Sequence, residues 1–484
     1  MNLITKIKSA GIWQAFEVFT QFILQFIYFA IMARLLIKED YGLMAISNGI
    51  IGVGALFISG GMGTALIQKK MINSNYINAA LQTNLFIATI LFFLFFFLSS
   101  TIGSFYNDER LGYIIQVISF NFILLAISNI SINLLHKNFK FKNTSLVTVI
   151  ALLCGYVIGL FMAYSGYGVW SLIVATLASS FIKTIGYLYF APIKISYTIH
   201  LKEAKELFKF GSGMMLLAFS NYFSNKGLNL IFGKIFAPGI LGVYERASHL
   251  KTLPSQFLGN IIDKVMFPIM SEIQDEDNRL INIFKFGMGL SNSLMIPTAV
   301  FLIFFTPEIV GVLMGDKWLE TIIPLQIMFV VLPFSNSSRM ADSIIRAKGL
   351  VYKNVTRKYI FAAIIIVLSS TLGYFYGIAG AAIGISISYI VNYLMMIFLV
   401  HNIFNKSFNE IFFKPVKTGI KLGIYLAFSI VIYKSIFKLW NTTNILHFVS
   451  FSLIVTITLI LVARFKPTIL GFYIATTLSK FLKK

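Results

Sequence analysis

The sequence predicts an all-α polytopic membrane protein of about fourteen transmembrane helices, and three observations carry that prediction. Of the 484 residues 57% are apolar and 12% charged, with 49 Phe and a mean hydropathy of +0.82, far from the balance of a water-soluble domain. The apolar residues gather into runs of about twenty, the length that crosses a bilayer as a helix. Short loops rich in Lys and Arg separate the runs, so the net charge of +22 reads as a positive-inside bias rather than a nucleic-acid surface.

Helix 1, residues 12–36, is too long for a signal-peptide core, and no A-x-A cleavage site follows it. Gln14, Glu17, Gln21 and Gln25 recur along it at helical spacing, which makes one face polar. Helix 2, residues 42–67, holds Gly60, Gly61 and Gly63, which permit close helix approach or a bend. Helix 3, residues 81–104, contains LFFLFFFL and reads as lipid-facing surface. Helix 4, residues 112–135, carries Ser128, Asn129 and Asn133. Helices 5 and 6, residues 144–164 and 168–190, form a hairpin on a three-residue turn. Cys154, the only cysteine, lies in an apolar run and reads as a small buried residue.

After Pro192 a polar connection containing HLKEAKELFKFG predicts an amphipathic helix on the membrane surface and a lobe boundary. The hairpin that follows, helices 7 and 8 within residues 209–273, is set apart by its polar content. Asn221, Asn225 and Asn229 stack on one face with Lys226 beside them, and Glu245, His249, Thr252, Gln256 and Asp263 recur on the second arm, flanked by Arg246 and Lys251. A charge at membrane depth costs about 2.5 to 3.5 kcal/mol on insertion scales, so this hairpin must face protein or water. Helix 9 spans residues 281–305, and helix 10, residues 321–345, carries Asn336, Arg339 and Asp342. Helices 11 to 14 follow at 360–376, 378–404, 418–437 and 445–463, and the basic end reads as an interfacial helix.

Loop charge sets the orientation. With the N-terminus inside, cytoplasmic segments collect 25 of the 40 Lys and Arg against 7 on the other side, which places both ends in the cytoplasm. The halves also repeat: Gly11, Phe19, Arg34 and Gly42 answer Gly211, Phe219, Lys234 and Gly242 at an offset of 200, and YGVWSL answers YGIAGA at 209. An offset of six helices gives two six-helix lobes of the same orientation with helices 13 and 14 appended, hence divisions at 1–200, 201–405 and 406–484.

No P-loop, G-x-S-x-G or H-E-x-x-H occurs, nor any metal-spaced His or carboxylate cluster, so neither catalysis nor a cofactor is expected. The chemistry lies in intramembrane charge, of which Lys226 and Arg339 lie too far from a helix end to snorkel readily. Lys226, Arg246, Lys251 and Arg339 form a cationic set suited to a phosphate-bearing ligand, Arg as a bidentate fork and Lys as a point charge. The first half has Phe26 opposite Lys226 and Ile130 or Ser131 opposite Arg339, so the set belongs to the second lobe. Gln14, Gln21 and Gln25, with Asn221 and Asn225, suit sugar hydroxyls. Glu17, Glu245 and Asp342 are either counter-ions or ion-coupling groups; Asp342 stands one turn from Arg339.

ARLL with YG, GMGTALIQKK, LGVYERASHLKTLPSQFLGNIIDKVMFPIMSEIQDE across helix 8 and RAKG after helix 10 resemble the bacterial polysaccharide transporters. These are O-antigen and colanic-acid type flippases of the multidrug/oligosaccharidyl-lipid/polysaccharide exporter superfamily. The resemblance covers residues 5 to 470. Arg246 matches the arginine of the helix 8 motif, whereas Glu245 stands where the family has Asn or Ser. It implies two six-helix lobes around a central cavity and alternating access in a bacterial cytoplasmic membrane. The implied substrate is an undecaprenyl-diphosphate-linked oligosaccharide; the implied partners are membrane lipid and a polysaccharide polymerase or chain-length regulator, with no nucleic acid. Two alternatives stand beside it. A cation-coupled multidrug exporter of the same superfamily would want an acidic or aromatic cavity, and a membrane polymerase or ligase would want a large outer loop.

Overall fold

The computed structural model describes residues 3–69, 71–193, 198–261, 266–437 and 450–453, which are helical with short turns and contain no strand. They form two compact units, Met1–Gly242 and Val243–Lys484.

In the first unit α1 (Leu3–Leu35) and α2 (Lys38–Ser59) are joined by a tight turn, and the short α3 (Met62–Gln68) follows a break at Gly60 and Gly61. The glycines of helix 2 therefore serve both readings: they end α2, and Gly61 brings its backbone against Gly211. Asn73 caps α4 (Ser74–Phe105) by accepting from the Tyr76 amide at 3.2 Å, and Asp108 caps α5 (Glu109–Ser119) in the same way. The expected helix 4 is two pieces, α5 and α6 (Asn121–Lys137), meeting at Phe120. A hairpin of α7 (Phe141–Tyr164) and α8 (Val169–Phe190) completes the first six spans. α9 (Leu201–Ile235) runs on from the surface-helix sequence without interruption and packs on α2, α3 and α4.

One tie fixes the polar start of α9. Lys137 Nζ donates to the carbonyls of Leu66, Ile67 and Lys69, holding the end of α3, and Lys69 then pairs with Glu206 at 2.7 Å. Tyr76 donates its hydroxyl to the same Glu206 oxygen at 2.7 Å and carries Lys69 3.8 Å above its ring. The bond from Lys69 holds the Glu206 carboxyl below its ordinary range, and the bond to Glu206 holds Lys69 above its own. The Glu206 share is present above its unfolded value and lost as pH falls through the lower folded one. The Lys69 share is present below its unfolded value and lost as pH rises through the higher folded one. Stability is thus flat through neutrality. Melting wild-type and Glu206→Gln protein from pH 7 to 3 should show an acid loss in the wild type that the variant lacks, shrinking in high salt because the pair is exposed.

The second unit begins within α10 (Pro238–Ile261), whose Pro254 is internal. It continues through α11 (Phe267–Glu272), α12 (Asp277–Phe304), α13 (Thr306–Leu313), a 3-10 turn (Asp316–Thr321), α14 (Ile322–Phe329) and α15 (Val331–Ala347). α16 (Val351–Phe404) is non-helical at Tyr376 and Gly377, the boundary expected between helices 11 and 12, and α17 (Lys414–Ile436) follows a π turn. A core of Phe284, Met288, Met340, Ile344, Met396 and Ile397 ties α12, α15 and α16 together.

Nine helices among the described residues are long and apolar enough to cross a membrane, with α16 counted once, and α14 with α15, bent by 42°, makes a tenth. α9 and α10 are long enough but too polar to join that group. The expected helix 14 lies outside the described residues except for 450–453, as do the C-terminal interfacial helix and Asp263.

The backbone carries the internal repeat. Gly168 (φ 54°, ψ −131°) precedes α8 as Gly377 (φ 64°, ψ −155°) precedes the second half of α16, at the offset of 209 read from YGVWSL and YGIAGA. Phe139 and Gly349 take positive φ of 57° and 71° after α6 and α15. Both turns close alike, Lys140 N to Leu135 O at 2.9 Å and Leu350 N to Ile345 O at 3.1 Å. Around the α1–α2 and α9–α10 turns the repeat is reciprocal. A Cβ on Gly42 would meet the carbonyl carbon of Pro238 at 2.5 Å, and one on Gly242 would meet that of Lys38 at 2.8 Å. Since 42 and 242, like 38 and 238, are 200 apart, this is one contact made twice.

Candidate substrate site

The cationic residues fall on α9, α10 and α15. On α9, in the first unit, Asn221 and Lys226 are exposed, Asn229 is buried, and the Asn225 side chain lies outside the described residues. Asn229 thus leaves the predicted polar stripe for the core, beside Gly49 of α2, and among the described residues its amide nitrogen has no hydrogen-bond partner. Tyr222, which sequence reasoning passed over, donates to the carbonyls of Asn48 and Gly49 at 2.9 and 2.8 Å, close above Gly52. These contacts dock α9 on α2.

In the second unit Arg246 and Lys251 stand on α10, and Arg339 of α15 reaches that helix at Gly259. Arg246 and Glu245 are half-buried on α10, and Lys251 holds its ammonium 4.9 Å from the Tyr389 ring. Arg339 of α15 lies across Gly259 of α10, where an added Cβ would meet its Cζ at 2.7 Å. Gly259 is therefore the slot that lets the guanidinium cross α10. One turn back, Asn336 is fully buried and donates to Ser255 of α10 at 3.3 Å, and Ser337 donates to Asn292 of α12 at 3.2 Å. That belt fixes the rotation of α15, leaving Arg339 at the partly exposed edge.

Asp342 is engaged on its own helix by Arg346 Nε at 3.3 Å and beyond it by α16, where Arg357 Nη2 lies at 3.7 Å, Lys358 Nζ at 4.0 Å and Asn354 donates to it at 2.6 Å. On α1, Gln14 is half-buried and Gln25 exposed, while Gln21 donates to Glu17 at 3.0 Å. Ser145 of α7 donates to the other Glu17 oxygen at 2.7 Å. Glu17 thus joins α1 to α7 through hydrogen bonds.

Two charged groups escaped the sequence. Arg357, counted only as a loop charge, is buried and donates to Asn354 at 3.0 Å and to Asn392. Lys434, at the end of a span where snorkelling is ordinary, forms a buried pair with Glu308 at 2.7 Å. Nothing in the local sequence links partners 126 residues apart.

Residues 31–323 match the family model described as polysaccharide biosynthesis protein. The chain belongs to this family. Its relatives include an Escherichia coli K12 lipopolysaccharide biosynthesis protein, WzxC, 24% identical over 76% of each chain. An uncharacterized membrane protein in the cps region of Klebsiella pneumoniae is 25% identical over 80% of each. The Rhizobium meliloti succinoglycan biosynthesis transport protein ExoT is 21% identical over 66% of this chain and 64% of its own. The fold of this family member is shared with the lipid II flippase MurJ in an inward closed conformation, at a TM-score of 0.71 and 18% identity over 92% of this chain and 99% of MurJ. It is also shared with an inward-facing multidrug resistance MATE transporter of the MOP superfamily, at 0.62 and 13% over 80% and 96%. The resemblance read from the helix 8 motif is borne out, and the protein is a multi-pass membrane protein of the polysaccharide biosynthesis family.

Proposed function

We propose that this chain flips an undecaprenyl-diphosphate-linked oligosaccharide, the repeat unit of an O-antigen, capsule or exopolysaccharide, to the outer leaflet by alternating access of two six-helix lobes. The observation that carries the reading is Arg339 laid over Gly259 with Lys251 on the same helix, in a member of the polysaccharide biosynthesis family. A fork and a point charge on adjoining helices suit a diphosphate. Names of relatives support the class: a succinoglycan biosynthesis transport protein and a lipid II flippase.

In this reading Lys226, Arg246, Lys251 and Arg339 bind the diphosphate, while Gln14, Gln21, Gln25, Asn221 and Asn225 bind the glycan. Glu17 and Glu245 serve ion coupling, and Asp342, held by three cations, serves as a counter-ion. The lobes are residues 1–200 and 201–405, with 406–484 appended and both termini in the cytoplasm of a bacterial inner membrane. A polymerase or chain-length regulator takes the product.

Arg339→Gln and Lys226→Gln are expected to cut export at least tenfold with normal protein in the membrane, since a hydrogen bond to a charged group contributes about 1.5 to 3 kcal/mol. Arg339→Lys should be intermediate, keeping charge without the fork. Surface polysaccharide is measured beside membrane protein level. Undiminished export by a stable Arg339→Gln protein removes the role assigned to it.

A further inference from the structure

The turn between α15 and α16 assembles charge that neither helix packing nor the cationic site on α10 requires. From Asp342 to Lys358 the sequence carries five Lys or Arg and one carboxylate. Gly349, at φ 71°, lets the chain reverse at once, with Lys348 N and Leu350 N closing on the last carbonyls of α15 at 3.1 Å each. The reversal sets Arg346 on the end of α15 and Lys358 on the start of α16, both within 4.0 Å of Asp342.

Beneath them lies a rigid cationic post. Arg357, only 8% exposed, is fixed by Asn354 and by Asn392, whose own amide donates to Ser338 at 3.3 Å. Burying a guanidinium with this many partners costs several kcal/mol in desolvation before any Coulombic return. A surface turn holding two helices together has no need of it. The arrangement is graded: Arg357 buried, Asp342 nearly so, Lys358 and Arg346 with side chains 27% and 35% exposed. Tyr359 and Ile360, the next two residues of α16, are exposed, and the apolar run of the span follows them.

We propose that this turn is a binding site for the phosphate of a membrane lipid. The Arg346 fork and the Lys358 ammonium grip the phosphate oxygens at the headgroup level, with Arg357 supplying field from below and Asp342 holding both donors in place. Arg346 stands two turns beyond Arg339 on α15 and pairs with Asp342, whereas Arg339 lies over Gly259 of α10, so the two arginines serve different contacts. The proposal does not rest on the flippase reading. A phosphate here comes from one of two sources, a bulk anionic phospholipid or the diphosphate of a polyprenyl carrier.

The test uses the full chain in phosphatidylcholine nanodiscs, with phosphatidylglycerol or a polyprenyl diphosphate added, and reads retained lipid by native mass spectrometry. Wild-type protein is expected to retain added anionic lipid, and Arg346→Gln with Lys358→Gln to bind it about tenfold more weakly. The charge-preserving Arg346→Lys should lose only about threefold. Stronger retention of phosphatidylglycerol assigns the site to bulk lipid, stronger retention of the diphosphate to the carrier. Should the double variant not accumulate, Lys358→Gln alone, expected to weaken retention about threefold, carries the test. Retention by the neutral variants equal to wild type overturns the proposal.

Discussion

Glu308→Gln is expected to strip most of the folded protein from the membrane. Lys434 Nζ lies 2.7 Å from Glu308 Oε1 with the two side chains 3% and 4% exposed; the same ammonium donates to the Phe304 carbonyl at 2.7 Å and sits 4.8 Å from the Phe305 ring. Neutralising the carboxylate leaves that ammonium buried with one carbonyl and one ring, a loss of about 3 to 5 kcal/mol from a margin of about 5 to 15. The pair is also what pins the far end of α17, whose Gly419 and Gly423 lie against Asn292 and Ile296 of α12. Replacing both charges, Glu308→Met with Lys434→Met, should restore most of the loss, because a hydrophobic pair of similar volume removes the desolvation cost with the attraction. Melting temperature and membrane abundance of the single and double variants decide it. A single variant as stable as wild type would show that the pair is dispensable.

The second large effect is steric. At Gly42 an added methyl falls on the carbonyl of Pro238, and at Gly242 on that of Lys38, backbone atoms that cannot rotate away. Gly42→Ala and Gly242→Ala should therefore each cost about 1 to 3 kcal/mol by forcing the α1–α2 and α9–α10 turns apart. The double variant should cost clearly less than the sum of the two, since the displacement made for one methyl already accommodates the other. Melting curves of both single variants and the double variant test this. Strict additivity would mean that the two glycines do not share a contact.

Most of the helix order was legible because each span is a long apolar run closed by polar residues. The boundary at 376–378 was also legible, since only glycine takes the φ of Gly377 without strain. The break at Phe120 was not, because it interrupts an apolar run without Gly or Pro and is settled by packing, whereas the break at Val330 has a local cause that was passed over: Pro333 has no N–H for the Phe329 carbonyl. At the candidate site the residue types were legible and their partners were not. Arg339 showed in the sequence as a charge too deep to reach water, but the glycine it crosses lies eighty residues away on another helix. Asn229 fitted the polar stripe by spacing and went to the core, because a helix as tightly docked as α9 buries part of any stripe. Lys434 and Arg357 carried no local sign of burial, since partnership across a fold is not written at either residue alone.

The crossing of Gly42 and Gly242 has a bearing on ancestry. Exchange the two copies of the repeat and its contacts map onto themselves, Gly42 on Pro238 becoming Gly242 on Lys38. Self-complementarity of this kind belongs to a two-fold homodimer interface, so a half-length progenitor pairing with a second copy of itself would close on the same four residues. In such a dimer every charge is obliged to occur twice. Joining the copies in one polypeptide lifts that obligation, and this chain uses the freedom: Phe26 stands opposite Lys226, and at the offset of 210 that relates α6 to α15 the uncharged Asn129 stands opposite Arg339.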